Sequence, residues 1–312
     1  MTARSAQEHG ALSGASEGRA RWRLGAGAGA SEAVAGYGLL SPLLLVMLLG
    51  VGAPCVLLLV MSFWQQESYD TSAGWGLGNY ARFFQNPFYL GLLLRSIGIG
   101  LVVAAATTLL AFPVAYFVAF HVGRHKSLWL IVLTVPFWTS YLLRIFTWKV
   151  ILGFNGLVNS GLMTVGLIEE PLEILLYNSF AVVLTLTHAW MPFVVLPIFV
   201  SLAKIPRELL LTAADLGDGP LHRFTRVVLP LAIPGVATGM VLVFIPTVGD
   251  YVTPMLVGGT QGSMIGAVIA AQVGPADNWP MGSAMSIVTM AVVTLVAAAL
   301  HLGLLGIRKS AR

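Results

Sequence analysis

The sequence predicts an all-α polytopic membrane protein with six spanning helices, and three observations carry that prediction. Hydrophobic residues make up 57% of the 312 and charged residues only 10%, with a mean hydropathy of +0.85. A soluble domain needs a charged share nearer about a quarter. Six runs contain no Asp, Glu, Lys or Arg: residues 33–66, 96–122, 127–143, 174–203, 227–249 and 278–307. Each approaches or exceeds the roughly 17–25 residues that carry a helix across the hydrocarbon core. Finally, the basic residues are lopsided. With six spans, the termini and the loops near 123–126 and 202–226 share one side, which holds thirteen of the 17 Lys and Arg. Only Arg82, Arg95, Arg144 and Lys149 fall elsewhere, so both termini are expected in the cytoplasm.

Along the chain, residues 1–32, rich in Ala, Gly and Ser, read as a disordered cytoplasmic tail. The membrane domain follows over 33–307, and 308–312 form a short cytoplasmic tail. The first apolar run is long and lacks a small-residue cleavage site followed by polar sequence, so it reads as an uncleaved span. The single cysteine, Cys55, lies within it, which excludes a disulfide framework and a thiolate metal site. Two further uncharged windows, 150–168 and 251–276, are broken by Gly153, Gly156, Gly161 and Gly166 and by Pro254, Gly258, Gly259 and Gly262. Such backbone facing lipid would leave polar groups unsatisfied, so both read as interfacial or re-entrant segments.

The polar stretch 204–226 separates two long apolar runs. Pro206 suits a first helical turn, helix formers fill 207–216, and Gly217 is a natural C-terminal cap. Gly219-Pro220 restarts a second short helix to about Leu229, giving two helices with a glycine joint. Ala213 and Ala214 are small enough to let another surface approach the backbone, and Arg207, Glu208, Asp215, Arg223 and Arg226 ring the knob with charge. A solvated connector would carry the same charges; the length and paired-helix layout favour a docking element.

Leu211-Thr212-Ala213-Ala214-Asp215-Leu216-Gly217, with Val228-Leu229-Pro230-Leu231 and Pro234-Gly235 after it, resembles the EAA loop of binding-protein-dependent ABC importer permeases. The sequence departs from that pattern at Leu211, where the family has its acidic residue, and at Thr212, where it has its first alanine. The resemblance implies the type I importer permease fold, and it implies that Glu208, Thr212, Ala213, Ala214, Asp215 and Gly217 couple to an ATPase. Pro136-Phe137-Trp138-Thr139-Ser140-Tyr141-Leu142-Leu143-Arg144 and the stretch from Phe244 to Pro254 around Gly249-Asp250-Tyr251 resemble polyamine-type permeases, with spermidine/putrescine permeases nearest. The likeness spans about residues 37–307. It implies two ATP-binding subunits that carry the ATP and Mg, a second homologous permease, and a solute-binding protein outside a bacterial inner membrane.

Asp250 ends the fifth apolar run, where a carboxylate costs roughly 2.5–3.5 kcal/mol at a helix centre and so faces a cavity or a partner. Pro246, Gly249 and Pro254 break the helix around it, and a carboxylate, open carbonyls and the face of Tyr251 suit a primary ammonium group. An interfacial Asp250 that caps a helix, or pairs with Arg144 or Arg95, is the structural alternative. Trp138 and Tyr141 sit near the outer end of a short span, as interfacial anchors or as lining of the path. Glu169, Glu170 and Glu173 form an outer acidic cluster. His188 and His301 stand without ligand companions at i+3 or i+4, so no metal site is expected. No phosphate-binding Gly-rich loop exists and no nucleophile–base constellation, so the chain is neither the ATPase nor another enzyme and needs no cofactor of its own. The basic pI of 9.4 reflects topology and not nucleic-acid binding. The alternatives are the same machinery with thiamine, sulfate, iron or organophosphonate as cargo, and a self-sufficient secondary carrier.

Overall fold

In the computed structural model, residues 37–67, 70–72, 74–175 and 177–310 are described. The tail expected over 1–32 lies outside them. The chain divides into two compact units, residues 1–58 and 59–312. The described part of the first, 37–58, belongs to helix α1 (Tyr37–Met61), which is interrupted by one π-turn at Leu48–Gly52. Within its own unit this helix leaves nearly all its apolar side chains exposed.

The second unit is helical apart from a small antiparallel hairpin, β1 (Gln65–Glu67) with β2 (Asp70–Ser72). Then come α2 (Gly78–Gln85) and the 34-residue α3 (Pro87–Phe120), whose start is set by Asn86 accepting from Phe88 N–H and by Pro87 at the first turn. The chain continues through α4 (Lys126–Thr134), α5 (Tyr141–Leu152), α6 (Leu157–Thr164), α7 (Ser179–Ala203), α8 (Arg207–Asp215), α9 (Pro220–Val248), α10 (Ile265–Val273) and α11 (Trp279–Ser310). Among the described residues six helical stretches are long and apolar enough to cross a membrane: Tyr37–Met61, Pro87–Phe120, Tyr141–Thr164, Ser179–Ala203, Pro220–Val248 and Trp279–Gly306.

The packed centre is α3, α7, α9 and α11. Lipid is as apolar as leucine, so burial from water does not drive these helices together; close approach of small residues does. Gly100 on α3 lies under Phe244 and Val248 of α9, where a Cβ would come within 2.7 Å of Val248 Cγ2. Gly235 on α9 lies under the Pro197 carbonyl and Ser201 of α7.

Two sequence expectations are corrected. The third spanning element is not one helix over 127–143. Pro136 contributes no N–H, α4 tightens into a 3₁₀ turn over Val135–Trp138, and Thr139 and Ser140 are extended before α5 begins. The apolar stretch then runs on through 141–164, past two cations that a charge-free window could not include. The glycine turn at 153–156 exists, but 150–168 is not a separate interfacial piece, because it completes this third stretch. The other window holds only a π-turn at Pro254–Gly258 and α10, neither long enough to span. The second correction concerns the knob. Pro220 starts no separate short helix, because the chain runs from Pro220 to Val248 through a π-turn at Phe224–Val228. Pro230 and Pro234 sit inside it without ending it.

Candidate functional site

The break in the third stretch places Tyr141 at the first turn of α5, facing the end of α9. Its hydroxyl donates to Asp250 Oδ2 at 2.7 Å and meets Thr253 Oγ1 at 3.0 Å. Asp250 is only 8% exposed. Its other oxygen, Oδ1, accepts from Val252 N–H at 3.0 Å, capping the helical turn that restarts after Gly249. The carboxylate thus has two donors and, among the described residues, no cation. Tyr141 stacks beside Trp190 of α7, ring centroids 5.8 Å apart, and Trp190 beside Phe193 at 5.5 Å.

Arg144 does not pair with Asp250. Its guanidinium lies 4.4 Å over the Phe137 ring, and Nη1 donates to the Ala189 carbonyl at 3.3 Å. Arg95 likewise turns away, donating to the Gln261 carbonyl at 3.1 Å. Of the structural alternatives for Asp250, an ion pair with either arginine is not found, whereas the helix cap is, through Oδ1 and Val252 N–H. The expected open carbonyls beside Asp250 are not open either. Gly266 of α10 sits against the Gly249 and Asp250 carbonyls, where a Cβ would come within 2.8 and 2.7 Å. Ser96 of α3 holds α10 in this place by accepting from Ile265 N–H at 2.8 Å.

The four residues read as a solute path therefore separate. Asp250 and Tyr141 come together. Tyr251 is half exposed and lines a different cavity of about 400 Å³ with Ile269, Val273, Thr289 and Val293, between α9, α10 and α11. Trp138 is 89% exposed in the break itself and joins neither. Thr253 was missed; its only sequence signal was its place one turn past a helix-breaking Gly-Asp.

At the other end of α9 is the knob. Gly217 has φ +91°, a left-handed conformation that favours glycine, and the helix end closes as a Schellman motif. Asp218 N–H donates to Ala213 O and Gly217 N–H to Ala214 O, both at 3.0 Å. Ala213 is buried within the chain, so its small side chain serves internal packing and not an incoming surface. Ala214 is half-buried, while Glu208, Leu211, Thr212, Asp215 and Leu216 are exposed. The leucines stand out: Leu211 is 62% exposed, Leu216 82% and Leu221 72%, an apolar rim on a polar loop that charge-based reading passed over. Arg226 pairs with Asp218 at 3.5 Å, and Arg207 reaches the Phe120 carbonyl at the end of α3 at 3.3 Å. Phe224 packs edge-on to Phe112 of α3, centroids 5.6 Å apart.

A polytopic helical bundle with a broken third stretch, a buried carboxylate beside the break and a capped helical knob at the far end of the same helix defines a membrane transport subunit. The chain belongs to the family described as binding-protein-dependent transport system inner membrane component, whose profile matches residues 40–304. It is similar to the spermidine/putrescine transport system permease protein PotB of Escherichia coli, 36% identical over 220 residues, 70% of this chain and 79% of that one. The PotB of Haemophilus influenzae is 33% identical over 247 residues, 78% of this chain and 86% of that one. Among solved structures, a chain of a bacterial ABC transporter involved in the import of the acidic polysaccharide alginate superimposes with a TM-score of 0.63 at 16% identity. The match covers 86% of this chain and 94% of that one, a likeness of fold. As a member of this family the chain is a multi-pass bacterial inner-membrane permease component, and ATP hydrolysis belongs to a separate subunit.

Proposed function

We propose that this chain is one permease subunit of an ATP-driven importer of polyamines of the spermidine/putrescine class, working by alternating access. The observation that carries the reading is the likeness to spermidine/putrescine permeases over 70% of the chain. The site agrees with it in chemistry. Asp250 is a nearly buried carboxylate with hydroxyl and amide donors but no ion-pair partner among the described residues, so an ammonium group entering beside it would meet an unpaired negative charge.

In this reading two ATP-binding subunits, which hold the ATP and Mg, grip the knob through Glu208, Thr212, Asp215 and the exposed leucines. A second homologous permease completes the membrane pore, a solute-binding protein delivers cargo from outside, and both termini lie in the cytoplasm. Closure of the ATPases displaces the knob, the knob moves α9, and the Asp250 end of the same helix opens outward. Labelled spermidine uptake by the complete complex in proteoliposomes tests this. Uptake should require ATP, the binding protein and this chain, and Asp250→Asn should lower kcat/KM about tenfold or more without loss of assembly. Normal uptake by that variant would reduce Asp250 to a helix cap.

A further inference from the structure

His188 is the tenth residue of the 25-residue α7 and lies about 13 Å along a helix about 36 Å long, well inside a hydrocarbon layer roughly 30 Å thick. It is nevertheless exposed. Trp148 of α5 donates its indole N–H to His188 Nδ1 at 3.0 Å, with the rings edge to face at 5.3 Å. Arg144, one turn before Trp148, is fixed at the same depth by its bond to the Ala189 carbonyl. Around them the Arg144 Nε, Trp190 Nε1 and Thr187 Oγ1 atoms are buried and have no hydrogen-bond partner among the described residues. Hydrocarbon offers such groups nothing, and an exposed histidine beside a half-buried arginine at that depth cannot face lipid without heavy cost.

We infer that this face of α5 and α7, bearing Arg144, Trp148 and His188, lines the aqueous route of the transported solute. The inference rests on the chain being a transport subunit, and it does not require the solute to be a polyamine. The unpartnered Arg144 Nε and Trp190 Nε1 are hydrogen-bond donors that suit water and acceptor atoms, and the guanidinium charge holds cations off. Asp250 lies next to it through Tyr141 and attracts them. A polycation meeting only a bare carboxylate would stay bound; a fixed guanidinium nearby shortens its stay, which a conducting path requires. Arg144 is on this account a specificity-determining residue that sets how tightly the site holds charge.

The chain has one cysteine, so Cys55→Ser with His188→Cys places a single thiol on this face. In the complete complex, otherwise free of reactive thiols, that thiol should react with water-soluble methanethiosulfonates of both charges. The anionic reagent should gain several-fold over the cationic one relative to a free thiol, and Arg144→Gln should abolish the preference. Met191→Cys, one turn on along the same helix, serves if the first variant does not assemble. Reaction only with lipid-soluble N-ethylmaleimide would put the face against lipid, and reaction with neither class of reagent would put it against the second permease; either overturns the inference. Spermidine uptake in the same preparation separates the two readings: a labelled thiol without polyamine transport keeps the route and removes the polyamine.

Discussion

Replacing Tyr141 with phenylalanine deletes one hydroxyl group and leaves the ring beside Trp190. The lost contact is a 2.7 Å hydrogen bond to a carboxylate that is 8% exposed, so no bulk water takes its place. Hydrogen bonds to charged groups contribute about 1.5–3 kcal/mol. Thr253 Oγ1, 3.0 Å from the same hydroxyl, can turn toward the carboxylate and recover part of this, leaving a net loss of about 1–2 kcal/mol. At 1.4 kcal/mol per decade, the opening equilibrium of the segment capped by Asp250 shifts by roughly 5–30-fold. Amide hydrogen exchange on the complete complex reads this directly. The amides of Val252, Thr253 and residues 255–258 should exchange faster by that factor, while those in the middle of α3 stay unchanged. Asp250→Asn should accelerate them less, because an amide oxygen still accepts from Val252 and its NH₂ still faces the Tyr141 oxygen. Exchange within about twofold of wild type in Tyr141→Phe would mean that the bond does not hold the segment, and the link between the broken third stretch and α9 would fall with it.

Gly217→Val forces a β-branched residue to φ +91° and should cost about 2 kcal/mol or more at the knob, so ATP hydrolysis by the complex should persist while uptake per ATP falls; matched hydrolysis and uptake would remove the coupling role. Leu216→Asp, at a position 82% exposed, should leave the thermal midpoint of the isolated chain unchanged and weaken co-purification of the ATP-binding subunits; undiminished co-purification would free the leucine rim of any docking role. Gly100→Ala should destabilise the chain by about 1–3 kcal/mol, because its Cβ meets Val248 and Phe244, whereas Gly98→Ala, with nothing within 4 Å, should be nearly neutral in the same thermal melt.

Span number and helical class were legible because bilayer thickness imposes a length and because charge is nearly absent from the runs. The third stretch was misplaced for the same reason. A charge-free window must stop at Arg144, yet Arg144 is accommodated inside the protein by a ring face and a backbone carbonyl, neither of which leaves a mark in the sequence. Gly217 was readable because only its conformation is at stake and glycine announces it. The inward turn of Ala213 was not, since burial on a short helix depends on what lies beneath it. Asp250 could be picked out as a costly carboxylate. Its partner, Tyr141, lies 109 residues away in sequence and was reachable only by resemblance, and Thr253 by nothing.

One helix joins the two ends of this reading. From Pro220 to Val248, α9 is a rod of 29 residues, about 43 Å long, with the knob at its start and Asp250 just past its end. It is packed on α3 along its length, by Phe224 against Phe112 near one end and by Phe244 and Val248 over Gly100 near the other. A push on the knob cannot bend such a pair locally, so α3 and α9 must shift together. The element built to yield is the third stretch, where Pro136 removes a donor and Thr139 and Ser140 lie extended. Among the described residues it is fastened to the bundle by three side chains of α5: Tyr141 to Asp250 and Thr253, Arg144 to the Ala189 carbonyl, and Trp148 to His188. Each is a hydrogen bond whose groups can take water or solute as a new partner once α5 moves, unlike the glycine-dependent packing of α3 on α9. On the alternating-access reading proposed above, the transport step would part α5 from α3 and α9 and expose Asp250 by the movement that breaks its bond to Tyr141.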